Sequence, residues 1–396
     1  MTASISGSPS PAGSTAGRAY LDHASTSPVR PAALEAMWAW VSAADPGRVH
    51  TEGRMARVAL EDARERVAAL FATRPRQVIF TSGATEAINA AAYGALHTDH
   101  LRPARAVVLS AVEHSAVREA SERYASRVAM VGVDRAGRIQ TSSVHAALED
   151  PDIGLVQYQW ANHEVGTMQS VAEIVGACRD RGVLVHVDAA AAAGHVPIAF
   201  DDLGADLLSV SAHKLGGPRG VGALLVRRGL RIPPLLVGGA QERARRAGLE
   251  DVAAAVGFGA AASELLDGGR LAAEAAVAAA QTERLRETAV AVAGIVAYGP
   301  SDPADRLPHL VCLGIDGVEA EAVLIGLDQA GVAAHSGSAC SSEMLEPSPV
   351  LTAMGVDGER SLRFSVGWST TDAEVAMAMR TLPGVVDRLR ALATGG

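Results

Sequence analysis

Gln77-Val78-Ile79-Phe80-Thr81-Ser82-Gly83-Ala84-Thr85-Glu86 passes from a short apolar run of β type, through a small polar turn, into an alanine-rich helix. The same unit recurs along the chain. Apolar runs at 106–110, 128–133, 153–160, 183–187, 206–210 and 223–226 predict strands, and the segments 116–126, 142–148 and 171–180 predict intervening helices. Strands that alternate with helices pair in parallel through right-handed crossovers, which makes an α/β layered domain. Upstream, residues 31–41 and 55–71 are apolar at helical spacing. Met55, Ala59, Ala63, Val67 and Leu70 recur every three or four positions, as a 3.6-residue period requires.

Residues 253–296 read as helices because alanine has the best helix propensity, with a break expected at Gly268-Gly269. From Pro308 onward, shorter strands at 310–313 and 362–366 lie between helices and predict a smaller α+β domain. The expected organisation is therefore a tail at 1–17, a large domain at 18–268 with residues 18–30 packing on the small domain, and a small domain at 269–396. The tail is mostly Ser, Gly, Pro, Ala and Thr, without a cationic start or an apolar stretch, so it reads as disordered rather than as a secretory signal.

Composition bounds the function. A chain of 396 residues with a net charge of −9 lacks the basic face that a nucleic-acid surface needs. No uncharged apolar run approaches the ~20 residues needed to span a bilayer. Three cysteines (Cys178, Cys312 and Cys340) do not make a disulfide framework, and they point to a reducing cytoplasm in which a thiol stays free for chemistry.

Of 35 cationic residues only Lys214 is a lysine, and it sits in Ser211-Ala212-His213-Lys214-Leu215-Gly216-Gly217. A primary amine can lose its proton and condense with an aldehyde, which a guanidinium cannot do. Lys214 is thus either a Schiff-base lysine for pyridoxal phosphate or a chance survivor at the surface. In open α/β sheets ligands bind beyond the carboxyl ends of the strands. Asp188 follows the run 183–187, where a carboxylate can keep a pyridinium nitrogen protonated or merely cap a helix. Ser82-Gly83-Ala84-Thr85-Glu86 offers helix N-terminal N–H groups to a phosphate, or is an ordinary cap. Ser211 and His213 can bond the same phosphate. His114 can stack on a planar ring and exchange protons, or be structural. His163, beside Asn162, has no evident assignment. Cys340, in His335-Ser336-Gly337-Ser338-Ala339-Cys340-Ser341-Ser342, is surrounded by small polar residues and is either a nucleophile on an exposed loop or an idle thiol. Cys312, in an apolar run, and Cys178, on a helix, read as buried and inert. Arg363, within a strand-like run, needs an anion: either a substrate carboxylate or a structural partner.

Taken together, these segments resemble the cysteine desulfurase family, within the class V aminotransferases of the fold-type I pyridoxal-phosphate enzymes. The similarity runs from about Tyr20 to Ala376. It rests on Tyr20-Leu21-Asp22-His23-Ala24, Thr81 to Glu86, Glu113-His114, Asn162-His163-Glu164-Val165-Gly166, His186-Val187-Asp188-Ala189, Ser211 to Lys214, Ser336 to Cys340 and Arg363-Phe364-Ser365, in family order. The segment reaching Leu345-Glu346-Pro347-Ser348 looks like the long catalytic loop of the group that serves general sulfur supply.

The resemblance implies a large domain with a mainly parallel sheet flanked by helices plus a smaller C-terminal domain that carries Cys340. It makes Lys214 the Schiff-base lysine, Asp188 the pyridinium partner and His114 the stacking acid–base residue. Ala84, Thr85, Ser211 and His213 would hold the phosphate. Asn162 would touch the cofactor and, with Arg363, hold the substrate. Cys340 would take sulfur from L-cysteine as a persulfide, leave alanine, and pass the sulfur to an acceptor protein. The cofactor is pyridoxal 5'-phosphate, no metal is expected, and a homodimer is implied. The alternatives are a related C–S or C–Se lyase, a class V aminotransferase-type biosynthetic enzyme, or a degenerate, non-catalytic platform. Two positions depart from the family pattern. Ala191 stands where the family has Gln bonding the cofactor ring oxygen. Leu249 stands where it has Thr reaching the partner subunit's phosphate. Each removes a hydrogen bond worth ~0.5–1.5 kcal/mol, which implies weaker cofactor retention or altered substrate preference.

Overall fold

Seven of the chain's apolar runs pair into one sheet. After a short β1 (Ala19–Tyr20), the sheet takes β2 (Val78–Thr81), β3 (Ala106–Ser110), β4 (Val128–Val131), β5 (Ile153–Gln159), β6 (Leu184–Asp188), β7 (Leu207–Ser211) and β8 (Gly222–Val226). Their spatial order is β2-β8-β7-β6-β5-β3-β4. In this computed structural model residues 17–98, 105–336 and 347–394 are described. Residues 1–16 of the expected tail, and Cys340 with the rest of 337–346, lie outside the described residues.

Strands β3 to β7 pair in parallel through helical crossovers, as the alternation of runs predicts. β8 does not follow that rule, since it runs antiparallel to both β7 and β2. The cause is the connection: residues 212–221 are fewer than the dozen or so that a crossover to a parallel neighbour needs. This reversal has a useful result. β2 points the same way as β7, so its carboxyl end reaches the same edge of the sheet, and Thr81 and Ser211 both face Gly222 across the ladder. Most strand residues are buried, as expected for a sheet covered on both faces, with Leu155, Val187, Leu207 and Leu208 fully so.

A second, antiparallel sheet has the order β12-β10-β9, where β9 is Ile295–Tyr298, β10 is Leu310–Ile315 and β12 is Ser361–Ser365. The region expected to be helical to residue 296 ends earlier. The helix Arg270–Val290 stops, Gly294 turns the chain at φ 73°, and β-branched Ile295 and Val296 pair with Ile315 and Gly314. β11 (Val332–Ala333) pairs in parallel with β1. A separate apolar cluster beneath this sheet joins Ala19 and Leu21 to Leu313, Leu362, Phe364 and Val386.

One buried cation ties the N-terminal segment to the turn that carries the lysine. Arg30 is 2 % exposed. Its Nε donates to Leu215 O at 2.9 Å, its Nη1 donates to Glu264 at 3.0 Å, and its Nη2 donates to Glu274 at 2.6 Å. Its backbone N–H donates to Gly216 O at 2.8 Å. Arg30→Met is expected to cost about 3 kcal/mol, because it strands the Glu274 carboxylate and the Leu215 carbonyl and leaves Glu264 with Arg270 alone. Urea unfolding of the unliganded chain measures this, and an unchanged midpoint would show that the guanidinium holds nothing.

Candidate active site

A cavity of about 590 Å³ opens at the carboxyl edge of the parallel strands. It is lined by residues at or just beyond the ends of five strands: Ser82 to Thr85 after β2, His114 after β3, Ala161 and His163 after β5, Asp188 at the end of β6, and Ser211, His213 and Lys214 at and after the end of β7. Arg363 of β12 and His335 close it from the second sheet.

Asp188 is buried, and burial raises its pKa, opposed by the Ala190 N–H and by the His114 charge. Its Oδ1 accepts from Ala190 N at 3.0 Å and from Ser209 Oγ at 3.2 Å. Below it a chain of buried polar groups continues through His186, Gln157 and Ser121. Burial pushes the His186 imidazole down to about 3, so this chain is neutral. A carboxylate held this way favours a partner that shares a proton with it.

The turn Ser82-Gly83 forms a cradle. Gly83 precedes the helix Ala84–Leu96, whose first N–H groups have no intrahelical acceptor. A Cβ on Gly222 would lie 2.8 Å from Gly83 Cα and 2.5 Å from Val210 O. Glycine at 222 therefore lets the turn lie directly on the strand, beside the Ser211 side. Glu86 closes the first turn by accepting from Ser82 N at 2.8 Å, and it pairs with Arg246 at 2.8 Å. His213 Nδ1 lies 3.2 Å from Thr26 Oγ1, and burial lowers its pKa to about 4. These donors suit a phosphate ester.

Lys214 Nζ donates to the carbonyls of Ala24 and Ser25. The reading of Lys214 as a chance surface residue is set aside, since the side chain is half-buried and lines the cavity. His114 caps the helix Ser115–Tyr124, with its Nδ1 accepting from Ala116 N at 3.1 Å. The proton of the neutral ring therefore sits on Nε2. Burial lowers its pKa, and Asp188 works against that.

Arg363 is buried. Its Nη1 donates to His163 O at 2.9 Å, and its Nη2 donates to Asp22 at 3.0 Å and to Ser25 at 2.8 Å. Its Nε has no hydrogen-bond partner among the described residues. A guanidinium with an unused N–H beside a cavity fits a carboxylate.

Eight of the expected site residues thus share one cavity: Ala84, Thr85, His114, Asp188, Ser211, His213, Lys214 and Arg363. Asn162 does not line it. Its Oδ1 accepts from Glu164 N and Val165 N, both at 2.9 Å, and its Nδ2 donates to Val112 O at 3.2 Å. The residue beside it, His163, faces the cavity instead. A side chain that bonds the backbone two and three residues on is a turn former, and that pattern is the signal that separates the two neighbours. Gln159, Ala24 and Ser25 also line the cavity without having been assigned a role from the sequence. Ala191 is in the wall, whereas Leu249 lies on the surface, 64 % exposed.

The profile of the aminotransferase class-V family matches residues 19–377. An IscS-like cysteine desulfurase of Mycobacterium tuberculosis is 40% identical, over 96% of this chain and 99% of its own. A cysteine desulfurase of Cereibacter sphaeroides is 39% identical, over 96% and 98%. Among solved structures, a NifS-like protein superposes with a TM-score of 0.84 at 30% identity, covering 94% of this chain and all of its own. SspA in complex with cysteine superposes with a TM-score of 0.77 at 28% identity, covering 89% of this chain and 100% of its own. The chain belongs to the class-V aminotransferase family and, within it, to the cysteine desulfurases. These families depend on pyridoxal phosphate. The donors in the cavity fit that group: a buried carboxylate for a ring nitrogen, a helix N-terminus for a phosphate, and a lysine for an aldehyde.

Behind the cavity Glu113 is buried, and its Oε2 has no partner among the described residues. Its Oε1 accepts from Ser110 Oγ at 2.5 Å and from Gln159 N at 3.1 Å. Burial, with the Asp188 charge adding, raises its pKa to about 8. The folded chain then binds this proton more tightly than the unfolded chain does, whose value is about 4.3. Its contribution is fully present below that value and is lost as pH rises through 8. Glu113→Gln is expected to melt progressively higher than the parent chain between pH 5 and 8. Melting curves that shift in parallel across that range would contradict this.

Proposed function

We propose that this protein removes sulfur from L-cysteine, releases alanine, and carries the sulfur on Cys340 as a persulfide for delivery to an acceptor protein. The observation that carries the reading is the convergence of Lys214, Asp188, His114 and Arg363 on one cavity beside a helix N-terminus. The relatives named cysteine desulfurase, and the superposition on a protein that holds cysteine, support the substrate.

Lys214 would hold the cofactor aldehyde, Asp188 the ring nitrogen, and Ala84, Thr85, Ser211 and His213 the phosphate. Bound pyridoxal phosphate supplies an electron sink that weakens bonds at the carbons of an attached amino acid. Arg363, whose side chain lines the cavity, would fix the substrate carboxylate with its guanidinium, which orients the sulfur before reaction. The amine of Lys214, which lines the cavity, would also be the base that takes the α-proton. His114, protonated on Nε2 when neutral, serves proton exchange near the sulfur. The Cys340 thiolate attacks that sulfur. An S–S bond forms, the C–S bond breaks with its electron pair going to the β-carbon, which takes a proton, and the α-carbon regains the proton it gave up, so that alanine leaves.

Exposed apolar side chains on the first helices and beyond, among them Trp38, Val49, Val58 and Val237, support pairing with a second copy. Free thiols at Cys178 and Cys312 suit a cytoplasmic setting. The second sheet with its own apolar cluster supports a division of the chain into 18–268 and 269–396.

Incubation with cysteine and dithiothreitol, which reduces the persulfide and releases its outer sulfur as sulfide, should yield alanine and sulfide in equal amounts. Pyruvate and ammonia as the products would replace this reading with a C–S lyase. Lys214→Arg should abolish the visible band of the loaded protein. Cys340→Ala should keep that band and lose persulfide formation, and persulfide transfer at the parental rate by this variant would remove Cys340 from the reaction.

A further inference from the structure

His163 stands in the cavity wall with no role in the scheme above. Its ring meets that of His114 edge-on, with centroids 5.2 Å apart and planes at 64°. On the other side its Nε2 lies 3.6 Å from Glu164 Oε1. The second oxygen of Glu164 accepts from Ser348 Oγ at 2.6 Å, and Ser348 Oγ accepts from Leu351 N at 3.2 Å. The backbone is held as well: Arg363 binds His163 O, and Asn162 Oδ1 binds the next two N–H groups. Glu164, Ser348 and Arg363 are all buried. A ring held at its backbone, packed edge-on against a second ring and backed by the Glu164 carboxyl has little freedom. It passes that restraint to the one neighbouring ring that faces it.

We infer that His163 is a positioning residue, which orients the His114 ring and shares a single positive charge with it, and that Glu164 and Ser348 hold His163 in place. The charge argument is simple. Two imidazoles at this separation in a buried wall do not both carry a proton, since each charge disfavours the other. The His114 charge indeed works to lower the His163 pKa, on top of burial. The other charged groups that act on the pair come from every side: Asp188 of β6, Lys214 after β7, Arg363 of β12, and Arg118 and Glu119 on the helix that His114 caps. Asp188 and Glu119 favour a proton on His114 whereas Lys214 and Arg118 oppose it. His163 adds a titratable neighbour to that balance, and its ring also shields His114 from water. Ser348 joins the pair to the polypeptide eight positions beyond Cys340 in sequence.

The inference rests on the cavity being the cysteine site, and the test separates the two. Imidazole NMR of the unliganded chain follows the His114 titration without cofactor or substrate. His163→Ala is expected to raise its midpoint by ~0.5 pH unit, because a neighbour that buries the ring is gone. In the loaded enzyme the same variant is expected to lose roughly tenfold in kcat with KM for cysteine changed less than about twofold, and the acid limb of its pH profile moves to higher pH. Ser348→Ala, outside the cavity, gives a smaller loss in the same direction, and Ser348→Thr restores it because the hydroxyl returns. An unchanged His114 titration in His163→Ala overturns the inference, as does a Ser348→Thr variant no better than Ser348→Ala. If the parent chain binds no cofactor and makes no alanine, the cysteine-site reading fails, and the NMR result still reports on the two rings.

Discussion

A carboxylate taken out of water sets the terms for this molecule. Asp188 ends β6 inside a wall of protein, with one oxygen bonded to Ala190 N–H and Ser209 and, among the described residues, no arginine paired with it. Burial alone raises its pKa. A charge in such a place is stable only if something supplies a proton or a cation in return. Two other strands of the sheet bring the candidates: Lys214 after β7 and His114 after β3, both of which lower the Asp188 pKa. The parallel sheet is what makes this possible, because it delivers the ends of several strands to one edge without long loops.

The second sheet completes the site from outside that edge. Arg363 reaches across from β12, yet its fixed partners are Asp22 and Ser25 near the N-terminus and the His163 carbonyl after β5. The guanidinium is therefore a joint between three parts of the chain. Its position, and so that of any carboxylate it binds, depends on β1 and β11 pairing as well as on the strand it occupies.

Much of this was legible from residue patterns. The apolar runs marked β3, β5, β6 and β7, and one polar residue at or just beyond the end of each (His114, His163, Asp188 and Ser211) lines the cavity. The period of 3.6 placed the helix at Thr51–Leu70 to within a few positions. Legibility ended where local pattern stops carrying information. β8 has the composition of a parallel strand, and only the shortness of its connection reverses it. β9 was hidden behind an alanine-rich helix whose end is marked by a glycine alone. In the turn after β5 the strand alternation lapses, so neither Asn162 nor His163 announces which of them faces inward. The answer lies in hydrogen bonds from Asn162 to its own turn. Leu249 and Ala191 looked equivalent as departures from a pattern, yet one sits on the surface and the other in the cavity wall.

Lys214 is the sole lysine, and its side chain is half-buried at the base of the cavity. Every other cation in the chain is an arginine or a histidine. Reagents that acylate ε-amines consequently have one side chain to find, and reaching it means entering the cavity. Acetyl groups, isopeptide tags and amine-coupled dyes meet an outer surface without an ε-amine to attach to. The same scarcity gives a peptide map in which a lysine-directed protease has a single bond to cut, at the residue whose chemistry matters most.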